Sequence, residues 1–143
     1  MNSLGFEKYY PYIFAICGVV AWYFLGQPFP KDVKEFFGAA LGLSGTLVGF
    51  LATAQSILMA LPSDSVMGAL KRSGYIDPLT RYMREAFYSL GVFAILNLGG
   101  FFLDLNTQPL PLWYRLAWVG LGAIGLITFQ RVIEIILRIM RRR

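Results

Sequence analysis

The stretch "GAALGLSGTLVGFLATAQSILMALP", residues 38–62, contains no charged side chain. It is longer than the roughly 20 apolar residues that span a bilayer core. Yet glycine, alanine, serine and threonine recur through it, so it is not a plain greasy span. Its small residues Gly38, Gly42, Gly45, Gly49, Ala52, Ser56 and Ala60 follow in steps of three and four, which draws one stripe along a helix. In lipid there is little hydrophobic drive between helices, and small residues let backbones approach closely. Gly38 to Ser56 of the stripe are therefore the expected helix-packing residues. The partner could be another helix of the same subunit or the same helix of a neighbour.

The rest of the chain fits this reading. A soluble domain carries about 25% charged residues; here 57% of the residues are hydrophobic and only 15% are charged. The charges are bunched, leaving apolar segments at about 9–25, 36–61, 86–103 and 112–129. The first is too long and too aromatic to be only a cleaved signal, and no small-residue cleavage site follows it. It stops at "GQPFP", where Pro28 and Pro30 break a helix. The expected fold is all-α and integral to the membrane: one domain, residues 1–143, of four transmembrane helices. Pro11 is expected in the first turn of helix one.

Charge sets the expected orientation. With four crossings, ten of the 13 Lys and Arg fall on one side: Lys8, Lys71, Arg72, Arg81, Arg84, Arg131, Arg138 and Arg141 to Arg143. Only Lys31, Lys34 and Arg115 fall on the other. Counting acids, the sides are net +5 and net zero. The Lys/Arg-rich side is cytoplasmic, which puts both termini inside a bacterial inner membrane. Tyr9, Tyr10 and Tyr12 mark one interface, and Trp22, Tyr23, Trp113 and Tyr114 the other. The basic pI is read as topology and lipid contact, with no nucleic-acid partner.

The cytoplasmic loop 63–85 carries helix punctuation. "LPSDSVMGALKRSG" has an N-cap at Ser63 or Asp64 and a stop at Gly74, which predicts a short helix between spans two and three. "YIDPLTRYMREAF" then offers Asp77 as N-cap and Pro78 at the first helical position. Leu79, Tyr82, Met83, Ala86 and Phe87 form an apolar face, with Arg81 and Glu85 paired four apart on the polar side. Beyond span four, residues 130–143 form a basic C-terminal helix. Arg131, Glu134, Arg138 and Arg142 line up along it. They either contact headgroups, pack on something, or line an inner vestibule.

Chemistry is bounded by what is missing. There is no histidine and one cysteine, Cys17, expected as a small buried residue. That excludes Ser-His-Asp and Cys-His catalysis, histidine-bound zinc and an intrachain disulfide. The carboxylates are scattered, and the glycines of the second span lack the lysine of a phosphate loop. No catalytic, cofactor or metal residues are expected, and the chain is not expected to be an enzyme. Intramembrane polar residues face a bundle interior or a wet cavity. Ser44, Thr53, Gln55 and Asn97, with Arg131 and Glu134 at the inner mouth, are therefore the candidate pore-lining set; interhelical glue is their other reading. Lys71, Arg72, Arg81, Arg84, Arg138, Arg141, Arg142 and Arg143 are candidates for docking a soluble cytoplasmic partner or lipid headgroups.

The segment "GTLVGFLATAQSILMALPSDSVMGALKRSGYIDPLTRYMREA", residues 45–86, resembles the small multi-pass membrane proteins of bacterial antiphage defence loci. The resembling features are a Gly- and Thr-bearing span ending in "ALP", a short capped helix carrying "LKRSGY", and a return helix. The resemblance implies a homo-oligomeric membrane effector or accessory subunit that perturbs the membrane when triggered. It implies no catalytic residues. The leading expectation is a regulated pore or effector. The alternative is an anchor that recruits a soluble partner through its basic loop and tail.

Overall fold

In the computed structural model, residues 3–60, 76–103 and 109–141 are described, with side chains from residue 9 to residue 138 within them. They form α1 (Ser3–Phe24), α2 (Val33–Ala60), α3 (Ile76–Gly100) and α4 (Leu112–Arg141), with no strand among them. α2 and α4 are long and apolar enough to cross a membrane, and α1 adds a shorter apolar run, Tyr9–Phe24. The expected short helix between spans two and three lies outside the described residues.

Each boundary has a local cause. α1 ends in a Schellman turn: Gly26 N–H bonds Tyr23 O and Gln27 N–H bonds Trp22 O, both at 3.3 Å. Gly26 has φ +86°, a conformation glycine adopts without strain. The prolines that follow then prevent any continuation, and Trp22 Nε1 donates to Pro28 O at 3.0 Å. α3 closes with N–H groups of Phe101, Phe102 and Leu103 on the carbonyls three residues back. The chain therefore leaves the helix at Gly100, short of residue 103.

Three expectations are corrected. α1 begins at Ser3, so Pro11 lies well inside the helix and is buried. Its ring nitrogen cannot donate to Glu7 O, which removes one helical bond. α3 starts at Ile76, so Asp77 and Pro78 are its second and third residues rather than the N-cap and the first helical position. Cys17 is exposed on α1. The basic tail continues the fourth helix as far as Arg141, as expected of a helix that ends in "QRVIEIILRIMRRR".

α3 packs against both α2 and α4, while α1 lies along α4. The buried positions of α3 are Leu79, Tyr82, Met83, Ala86, Leu90, Phe93, Asn97 and Gly100, a single face at helical spacing. α2 presents Phe37, Ser44 and Leu51, seven residues apart, to the interior. One end of the bundle is aromatic, around Phe37, Leu110 and Tyr114, with Phe29 and Trp118 against them. The other end is mostly aliphatic, around Leu51, Met83, Leu90, Val132 and Ile135, with Tyr82 among them.

Candidate functional site

The α3–α4 seam is built from small residues and polar rungs. A Cβ placed on Gly125 would lie 2.9 Å from Leu90 Cδ2, and one on Gly122 would lie 3.1 Å from the Phe93 ring. At Gly100 a Cβ would overlap the Phe37 ring and come within 3.0 Å of the Tyr114 hydroxyl. The backbones approach because these positions have no side chain. Three polar pairs cross the same seam, descending α4 as they ascend α3. Arg131 Nη2 contacts Glu85 Oε2 at 2.6 Å, Ser89 Oγ meets Thr128 Oγ1 at 3.1 Å, and Trp118 Nε1 donates to Asn97 Oδ1 at 2.8 Å. Beyond them the Tyr114 hydroxyl donates to Leu96 O.

Arg131 is the most consequential rung. Its side chain is 2% exposed against 28% for Glu85, and its guanidinium carbon stands 3.9 Å from the Tyr82 ring centroid. Carboxylate and ring together hold a cation away from water, where an uncompensated charge would be prohibitive. The interhelical pair also replaces the expected Arg81–Glu85 pairing. Arg81 instead lies exposed, 5.6 Å from the Tyr82 ring centroid.

The candidate pore-lining residues do not converge. Asn97 is fully buried; besides accepting from Trp118 it donates to Phe93 O at 2.7 Å. Ser44 is buried and returns its hydroxyl to Ala40 O and Leu41 O at 2.8 and 3.0 Å. Arg131 belongs to the seam. Thr53 is exposed and bonded to Gly49 O at 2.9 Å, Gln55 is half-buried, and exposed Glu134 accepts from Gln130 at 3.2 Å. Engaged in this way, Asn97, Ser44 and the Nη2 group of Arg131 tie the bundle together.

The small stripe of α2 is turned elsewhere. Cβ atoms built on Gly42, Gly45 and Gly49 meet nothing within 4 Å, while Gly38 has Phe101 at 3.6 Å. Ala52 and Ser56 are exposed, and Ser56 Oγ bonds Ala52 O at 2.8 Å. Thr46 is likewise exposed and bonded to Gly42 O at 2.9 Å. Among the described residues the stripe is thus an open face of glycine and methylated or hydroxylated side chains. Of the docking candidates, Arg84 and Arg138 are exposed, as Arg81 is. Lys71, Arg72, Arg142, Arg143 and the Arg141 side chain lie outside the described residues.

The seam of α3 and α4 was not read from the sequence. Its one available signal was an acid and a base, Glu85 and Arg131, each set in an apolar helix. No protein-family model, curated protein or solved structure matches the chain.

Proposed function

We propose that the chain is a non-enzymatic, multi-pass inner-membrane protein that assembles with copies of itself along α2 and acts as a membrane effector, forming a regulated pore. In this reading α1 and α3 cross the membrane with α2 and α4, and both termini are cytoplasmic. Support for a lipid setting comes from burial. Only 17% of the apolar window of α2 and 33% of that of α4 are covered by the rest of the chain. Large apolar side chains stand open all round, among them Phe14, Phe24, Ile95 and Phe102, the last 84% exposed. A water-facing surface carrying so many would aggregate.

The observation that carries self-assembly is the empty space beside Gly42, Gly45 and Gly49. A face of this shape suits close approach of an identical helix. With Ser44, Asn97 and Arg131 engaged inside the subunit, the wettable groups left for a shared axis are the exposed Thr46, Thr53 and Ser56 of α2. A role in antiphage defence is what the resemblance across residues 45–86 implies.

Membrane potential, followed with a voltage-sensitive dye in expressing cells, tests the reading. Wild type is expected to depolarise cells when triggered. Thr53→Leu is expected to remove most of that signal at equal protein level, and reversal of Lys71 and Arg72 to Glu to leave it. Intact polarisation with wild type, together with loss of function on the charge reversal alone, would establish the anchor alternative instead.

A further inference from the structure

A groove of about 440 Å³ runs between α2 and α4 with α3 as its floor. Its walls include Leu43 and Leu47 of α2, Phe93 of α3, and Trp118, Ala123 and Leu126 of α4. They are almost wholly apolar. The one hydroxyl, on Ser44, is already committed to carbonyls of its own helix. On α2 the lining extends from Phe36 to Leu47, eleven residues of rise or about 17 Å. A groove of this length and lining suits a hydrocarbon chain, whose carbons touch their neighbours at roughly 4 Å.

The groove ends under a layer of rings. Phe36 and Trp118 have centroids 5.0 Å apart, and Phe29 packs on both at 6.0 and 5.6 Å. Phe29 also lines a second hollow, whose rim carries Lys31, Lys34 and Arg115 beside Asp32 and Glu35, with Arg115 three residues from Trp118 of the groove on α4. Among the described residues no ion pair joins Arg115 to either acid, and its Nε is buried with no hydrogen-bond partner. A buried charged donor left unmatched is costly. An anionic oxygen would relieve it.

We propose that this groove and rim together seat an anionic phospholipid, with an acyl chain between α2 and α4 and the phosphate at Arg115, supported by Lys31 and Lys34. The inference rests on the chain being embedded in a membrane, which carbonate extraction of native membranes decides separately: release of the protein would defeat the membrane reading itself. The lipid is tested on full-length, delipidated protein in detergent by melting temperature and native mass spectrometry. Three probes are compared: phosphatidylglycerol, phosphatidylcholine of the same chain length, and inorganic phosphate.

Phosphatidylglycerol in hundredfold excess over its Kd is expected to raise the melting temperature by roughly 5 °C or more and to remain bound in the gas phase. Phosphatidylcholine is expected to bind about tenfold more weakly, and phosphate alone to do nothing. Arg115→Gln is expected to abolish the preference between the lipids, and Ala123→Trp to reduce binding of both. Should Ala123→Trp fold poorly, Leu126→Trp blocks the same groove from its exposed lip. Equal effects of the two lipids, or an unchanged preference in Arg115→Gln, would overturn the proposal. So would a full effect of phosphate alone. Dissociation of an oligomer by Ala123→Trp in lipid-free protein would assign the groove to a second copy, and overturn it also.

Discussion

α2 and α4 are both long, apolar and studded with small residues, and the fold uses them in opposite ways. The glycines of α4 are closed: Gly122 lies under Phe93 and Gly125 under Leu90. Those of α2 are open, with nothing beside Gly42, Gly45 or Gly49. The polar groups divide along the same line. α4 contributes Trp118, Thr128 and Arg131 to partners on α3, whereas Thr46, Thr53 and Ser56 of α2 bond only their own helix. A glycine stripe in a membrane helix therefore identifies a face of close approach without saying whose backbone approaches. Interhelical hydrogen bonds settle that for α4; among the described residues Thr46, Thr53 and Ser56 of α2 show none.

The largest effect expected from breaking this contrast is at the charged rung. Glu85→Leu leaves Arg131 buried without its carboxylate and is expected to destabilise the bundle by about 3 kcal/mol, the low end for such pairs because Glu85 keeps some solvent contact. Replacing both residues, with Arg131→Met added, is expected to recover most of the loss. Thermal unfolding in detergent measures both. If the single variant melts like wild type, the pair does not hold the seam.

Smaller, but more discriminating, is the same substitution made in the two helices. Gly125→Leu drives a branched side chain into Leu90 and is expected to cost about 1–3 kcal/mol. Gly45→Leu, built into open space, is expected to leave subunit stability within about 0.5 kcal/mol of wild type. Equal losses measured on protein dissociated to monomers would mean that α2 is packed within its own subunit after all.

What could be read from the sequence followed from local physics. Long charge-free runs bounded by proline and clustered charge announced helices, and the three-and-four spacing from Gly38 to Ser56 drew a stripe along α2. Partnership was not legible, because it depends on residues far apart in the chain. Nothing local to Glu85 distinguishes Arg81, four residues away on the same helix, from Arg131, 46 residues on and across the seam. Asn97 could equally line water or accept from an indole, and only the antiparallel register of α3 and α4 brings Trp118 to it. Helix ends were misjudged where a signal was permissive rather than decisive: Pro11 is tolerated in a first turn, but that does not require a helix to begin there.

The open face of α2 is tested most directly by crosslinking in native membranes. With Cys17→Ser removing the natural thiol, single cysteines are introduced at Gly45 on the open face and at Ile95 on α3, which is 70% exposed on a different surface. A disulfide needs Cα atoms within about 7 Å, so it forms only where backbones of two copies nearly touch. Mild oxidation is expected to convert most of the Gly45→Cys protein into covalent dimer and to leave Ile95→Cys monomeric. Monomer from Gly45→Cys under conditions that join Ile95→Cys would contradict assembly along α2.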